Sequence, residues 1–274
     1  MKWMGWLFVL LLVALLASAG LCENDFVTTK GSKLYLHGKE YRAIGVNIPH
    51  LHQAYFGTWL HIPQMYGTPE KAKQVIIDAL DDAQKSGIAF VRFFASPGYP
   101  RDTDMLYAKD KDKYWKMMDE LFALCRERHI KLVPSFCCIT GWYMYSGETC
   151  QAILDPNSKT YKAAYGYIKE FVTRYKNDPT VLMWELANET MLASDVDMQD
   201  QSALPVETYS PGVKFRDKLV REDSLTWDMI MKIYREQTAY IKQLDSNHLV
   251  TSGDAAVRLE CTSRRETFPD FKYR

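Results

Sequence analysis

The chain has no surplus of either charge. Lys and Arg together number 34, and so do Asp and Glu. A protein that grips nucleic acid through its phosphates needs a basic excess, so sequence-blind nucleic-acid binding is not expected. No glycine-rich loop follows any apolar run, which argues against a phosphate-binding barrel. Cysteine is sparse, at six residues, and its spacing fits no zinc pattern. No cluster of His, Cys and carboxylate asks for a metal, and neither a metal nor another cofactor is expected. Internal repeats and low-complexity tracts are absent. Beyond residue 22 no apolar run is long enough to span a bilayer.

What is there begins with an apolar leader. "MKWMGWLFVLLLVALLASAGLC" carries one Lys, an apolar run and then small residues, the layout of a secretory signal peptide. Ala17-Ser18-Ala19 fits the small-x-small rule for cleavage after Ala19, and cleavage after Cys22 is an alternative. An uncleaved anchor is the competing reading, since Met4 to Cys22 could nearly cross a bilayer. With residues 1–22 as signal, residues 23–274 form a secreted, extracellular, monomeric protein with no membrane contact after cleavage. Secretion permits disulfides. Cys137 or Cys138 with Cys150 would close a short surface loop, although connectivity cannot be read from sequence.

The remainder is ordinary for a globular domain, 47% apolar and 25% charged. "KLYLHGKEYRAIGVN" alternates around His37-Gly38-Lys39 like a hairpin whose second arm runs to Asn47. Thr68-Pro69-Glu70 opens a helix that stops at Gly87. Ile88–Ser96 reads as a strand, "DKYWKMMDELFALCRERH" as a helix and "IKLVPSFCC" as a strand. "SKTYKAAYGYIKEFVTRYKN" is a helix broken by Asp178-Pro179. "TVLMWELANE" is the next strand. Ser224 is the expected cap of "LTWDMIMKIYREQTAYIKQLD", and "HLVTSGDAA" is the last strand.

Strand and helix alternate five times, which predicts a parallel sheet with helices outside. The long segments all follow strands: 48–67, 97–111, 138–157 and 190–223. Such one-sided loops fit a (β/α)8 barrel of TIM type, whose active face lies at the carboxyl ends of its strands. Only about five βα units are found where eight are required. Either three strands are hidden or absent, or residues 23–274 are a partial barrel domain from a truncated chain, the reading preferred here.

Aromatic residues make up 13% and cluster in the expected loops, where sugar rings could stack on them. His50, His52 and His61 share the first of these loops; His50 or His52 could bond a substrate, but exposed loop histidines are more often idle. Ionisable groups within the apolar strands are few, Arg92 and Glu185, and an ion pair between them would satisfy both charges in a dry interior. Glu189 ends an apolar strand without that structural justification, which marks it for chemistry. Two carboxylates flanking a sugar linkage hydrolyse it through an oxocarbenium-like transition state, and an amide beside the acid can hold the 2-hydroxyl.

At "WELANE", Trp184 to Glu189, the sequence resembles the acid/base signature of family 5 glycoside hydrolases, and among them endo-β-1,4-mannanases first, cellulases next. "FVTTKGSKLYLHGKEYRAIGVNIPHL" and "FVRFF" also resemble that family's opening hairpin, first strand and second strand. The resemblance implies a retaining O-glycosyl hydrolase acting on a β-1,4-linked polysaccharide or oligosaccharide, mannan before cellulose. Glu189 would be the general acid/base, Asn188 would bind the sugar 2-hydroxyl and Arg92 would orient the nucleophile. Trp59, Trp142 and Tyr143 would stack on sugars or simply pack their loops. The family's nucleophile ends a seventh strand and has no counterpart here; Asp254 and Glu260 do not match it. A non-catalytic carbohydrate-binding relative is therefore the alternative. Asn188-Glu189-Thr190 also reads as a glycosylation sequon, and a glycan there would block the site.

Overall fold

A computed structural model describes residues 25–58, 62–97, 106–137, 142–143, 146–190 and 220–254. The expected signal, the alternative cleavage points, Trp59, His61, Cys138, Glu260 and most of the 190–223 loop lie outside the described residues. The chain divides into two compact units, residues 1–42 and 43–274.

The first unit holds a small antiparallel sheet of β1 (Thr28–Lys30), β2 (Lys33–Leu36) and β3 (Lys39–Glu40). The hairpin was expected to run to Asn47, but pairing stops at Leu36↔Lys39 and Tyr35↔Glu40, followed by one bond from Tyr41 N to Leu34 O. Residues Gly45–Asn47 form β4 of a different sheet. Hydrophobic alternation alone cannot tell an arm of a hairpin from the parallel strand that follows it.

The second unit is built on five parallel strands in the order of the chain: β4, β5 (Phe90–Phe94), β6 (Lys131–Ser135), β7 (Met183–Glu185) and β8 (Leu249–Thr251). Adjacency in chain order is the wall of a barrel, and the expected five βα units are the five strands found. Among the described residues, the four long helices form where the sequence placed them, while three short ones arise in segments expected as loops. α1 (Leu51–Phe56) and α2 (Ile62–Met65) are followed by α3 (Pro69–Lys85), whose Thr68 cap accepts a hydrogen bond from Lys71 N and whose Pro69 occupies the first turn. α3 buries Ala72, Ile76, Leu80 and Ala83, spaced for one helical face.

A short α4 (Leu106–Lys109) leads to α5 (Lys111–Glu127), capped by Asp110. Past a 3₁₀ turn at Cys150–Leu154, Ser158 caps α6 (Lys159–Tyr175). α7 (Trp227–Leu244) is capped by Thr226, not by Ser224, because Thr226 Oγ1 is the group that accepts from Met229 N. Between these helices and the sheet lies an aromatic core. Phe122 stacks on Tyr175 at 3.8 Å, and Phe136 on Trp184 at 5.8 Å.

Two expected surface features belong to this core. Segment 48–67 is not all loop: His52 lies on α1, fully buried among Phe56, Phe93 and Tyr114. Burial, with the nearby charge of His50, pushes its pKa down to about 3 and keeps it neutral. Cys125 and Cys137 are buried free thiols, so the Cys137–Cys150 bridge does not form. Burial raises the Cys137 thiol far above its usual range. Among the described residues no helix is long and apolar enough to cross a membrane.

Candidate active site

The carboxyl ends of β4, β5 and β7 each deliver a polar side chain to one cluster. In the register, Asn47 lies beside Arg92, and Ser135 of β6 beside Glu185. Arg92 and Glu185 thus stand on alternate strands, the arrangement by which barrel interiors build one layer of side chains. Arg92 Nε lies 2.9 and 3.0 Å from the two Glu185 carboxylate oxygens, and Arg92 Nη2 lies 2.6 Å from Oε1. The expected ion pair is present. The Arg92 side chain is 19% exposed and that of Glu185 6%, so this pair is largely dry, where planar bidentate geometry counts most.

The rest of the guanidinium is also used. Arg92 Nη1 donates to Asn47 Oδ1 at 3.1 Å and Nη2 to Asn188 Oδ1 at 2.8 Å. With its carbonyl oxygen engaged by Arg92, Asn188 turns its two amide N–H donors away from the arginine.

The strand that carries this pair ends earlier than its sequence implies. Regular pairing of β7 stops at Glu185, and Leu186 and Ala187 stay attached through bonds of 3.0 Å to Thr251 O and Ser252 O. Glu189 then takes φ +49°, a left-handed conformation that breaks the strand alternation. It is therefore this turn that brings Glu189 to the surface, where it is exposed beside half-buried Asn188 and buried Thr190. The sequon is correspondingly constrained: the amide carbonyl of Asn188 is held by Arg92, and Thr190 is only 1% exposed.

Gly253, just past β8, closes one side of the site. Its φ is +75°, and a Cβ there would stand 2.0 Å from Ala187 O and 2.5 Å from Cγ and Cδ of Glu185. Only glycine fits such a contact. Sequence reasoning missed this residue, although a glycine within the run read as the last strand, "HLVTSGDAA", was its visible signal. Asp254 is bonded by the Tyr234 hydroxyl. His50 lies 2.5 Å from the Tyr66 hydroxyl, and burial lowers its pKa.

The aromatic expectations divide. Trp142 is 1% exposed; its indole N–H donates to Phe136 O at 3.2 Å and its ring packs on Tyr167. A ring with no free face cannot stack on a sugar, so Trp142 is corrected to a core residue. Tyr143 is half-buried, and Trp59 lies outside the described residues. Among the described residues no group of His, Cys, Asp and Glu is arranged to hold a metal.

A five-stranded run of a parallel α/β barrel with acidic and amide groups at its strand ends is the frame of a TIM-barrel glycosidase. A family model described as "Glycosyl hydrolases family 2, TIM barrel domain" matches residues 117–257, and the chain belongs to these TIM-barrel glycosyl hydrolases. The matched model carries the label of family 2, whereas the motif resemblance pointed to family 5; the two agree on a barrel glycosidase. The chain is similar to a probable mannan endo-1,4-beta-mannosidase C of Aspergillus terreus, 34% identical over 34% of this chain and 18% of that one. It is also similar to mannan endo-1,4-beta-mannosidase 7 of Arabidopsis thaliana, 25% identical over 87% of this chain and 51% of that one. Among solved structures, the endo-1,4-beta-mannanase of Rhizomucor miehei shares the fold with a TM-score of 0.54 at 20% identity, over 84% of this chain and 60% of that one. The chain thus spans about half or less of the length of these curated relatives.

Proposed function

We propose that the protein is a secreted, monomeric retaining glycosidase of family 5 type that cleaves β-1,4-linked mannan, with Glu189 as general acid/base. The observation that carries this reading is the Asn188–Glu189 pair at the end of β7, with Asn188 locked by Arg92 and Glu189 turned outward. The names of the relatives support mannan ahead of cellulose. The apolar leader supports export.

In the proposed reaction Glu189 protonates the leaving glycosidic oxygen, and the outward N–H groups of Asn188 hold the 2-hydroxyl of the sugar under attack. A second carboxylate, roughly 5–5.5 Å from the first in a retaining enzyme, attacks the anomeric carbon. Neither Glu185, clamped by Arg92, nor Asp254, bonded by Tyr234, is free for that role. The nucleophile belongs to chain outside the described residues, and Arg92 orients it through the frame it holds with Asn47 and Asn188.

The test uses the full native protein and its Glu189→Gln variant on soluble β-1,4-mannan and on cellulose, following reducing ends and binding. The expected result is mannan hydrolysis that falls roughly 10²- to 10⁴-fold in the variant, with binding retained. Equal behaviour of parent and variant would overturn the enzyme reading; binding by both without hydrolysis would favour a non-catalytic carbohydrate-binding protein.

A further inference from the structure

We propose that Ser135 is a positioning residue for Glu189, acting through the carbonyl of Ala187; this rests on the reading of Glu189 as the acid/base. Past Glu185 the β7 chain loses its ladder on the β6 side. The last backbone bond there runs from Phe136 N to Glu185 O at 2.8 Å. Ala187 is fully buried, and a buried carbonyl oxygen needs a donor. Ser135 supplies it: its hydroxyl, itself fully buried, donates to Ala187 O at 3.1 Å. A side chain thus replaces the missing rung.

The opposite side of the same oxygen is occupied. Ala187 N donates to Ser252 O, and the bare α-carbon of Gly253 leaves just enough room for Ala187 O, since a Cβ there would stand 2.0 Å away. The Ala187 carbonyl is therefore fixed between Ser135 and Gly253. Its peptide plane sets the direction in which Asn188 leaves the strand, and Asn188 must meet Arg92 at 2.8 Å before the left-handed turn presents Glu189. Without the Ser135 hydroxyl, the peptide loses its donor and gains freedom to rotate, and the rotation is passed to the two residues that follow. Displacements of about 1 Å at a reacting group cost on the order of a hundredfold in rate. The two steps that use Glu189 should be affected: protonation of the leaving oxygen, and activation of the water that then hydrolyses the glycosyl-enzyme. Ser135 is fully buried, with the Cys137 sulfur 3.8 Å from its hydroxyl, so it is placed to act through the backbone and not at the surface.

The experiment compares Ser135→Ala, Ser135→Cys and Ser135→Thr with Glu189→Gln in the full native protein. Two substrates are used: a β-1,4-manno-oligosaccharide, whose leaving group must be protonated, and a dinitrophenyl β-mannoside, whose leaving group need not be. Ser135→Ala is expected to lower kcat/KM on the oligosaccharide roughly ten- to hundredfold and to lose far less kcat/KM on the dinitrophenyl substrate, because kcat/KM there reports only formation of the glycosyl-enzyme, which needs no proton from Glu189. Ser135→Thr keeps the hydroxyl and should behave as the parent. Ser135→Cys keeps the volume with a weaker donor and should fall between, which preserves the comparison if the alanine variant does not fold. An equal loss of kcat/KM on both substrates would reduce Ser135 to a structural residue and overturn the proposal. Normal activity of the alanine and cysteine variants beside a disabled Glu189→Gln would also overturn it while leaving the function standing. Normal activity of Glu189→Gln would remove the acid/base reading and this proposal together.

Discussion

Replacing Arg92 by Met tests the frame on which the site depends. The change leaves the Glu185 carboxylate, 6% exposed, with no counter-charge. It also removes the donors to Asn47 and Asn188. Breaking a buried pair from one side costs about 3–5 kcal/mol, because the remaining charge stays desolvated. The two asparagines are partly exposed and can turn to water, so the ion pair dominates and about 4 kcal/mol is expected. With a urea slope of about 2–3 kcal/mol/M, the unfolding midpoint should fall by roughly 1.5 M. The decisive comparison adds Glu185→Met to Arg92→Met. Taking away both charges removes the desolvation cost, and the double variant should recover most of the loss, to within about 1–2 kcal/mol of the parent. A single variant within about 1 kcal/mol of the parent, or a double variant as unstable as the sum of the singles, would refute a desolvated, mutually dependent pair.

Three further outcomes follow from other positions. Gly253→Ala places a Cβ against Ala187 O and Glu185 in a left-handed backbone; about 2–5 kcal/mol should be lost, read as a fall in melting temperature of roughly 5–15 °C. Gly166 on α6 has open space where a Cβ would stand, so Gly166→Ala should raise stability by about 0.5–1 kcal/mol in the same assay. Asp245 is opposed by burial, yet bonds from His248 and Trp184 outweigh this and hold its pKa at about 2, below the ordinary 3.8. The folded state therefore binds its proton less readily than the unfolded one. The stabilisation, on the order of 2 kcal/mol, is complete above pH 4 and disappears as pH falls towards 2. Urea midpoints measured at pH 5 and pH 2 should differ less in Asp245→Asn than in the parent.

Much of the frame is legible in the chain because local chemistry and packing agree. Thr68-Pro69 opens α3 as its cap chemistry dictates, and the apolar runs around Val91, Leu132 and Trp184 become neighbouring strands. The Arg92–Glu185 pair could be anticipated, since two lone charges in apolar strands must find each other or remain unpaid in a dry interior. What could not be read depended on contacts far apart in sequence. Glu189 reads as the end of an apolar strand, but a left-handed turn decides its direction, and the peptide before that turn meets Ser135, 54 residues upstream of Glu189, and Gly253. Trp142 looked like a sugar platform because an aromatic in a loop carries no sign of which face is covered, and Tyr167 covers it. His52 reads as a loop histidine until α1 forms and turns it inward.

The left-handed backbone at Glu189 sets two selective pressures against each other. At φ +49° a glycine or an asparagine would sit with less strain, so a carboxylate-bearing side chain is a poor occupant for folding alone. A population of variants screened only for heat resistance should therefore drift to Gly or Asn at 189, gaining stability while discarding the proposed proton donor. Retention of glutamate only in a parallel screen that also demands hydrolysis would mark a place where function, rather than the fold, chooses the residue.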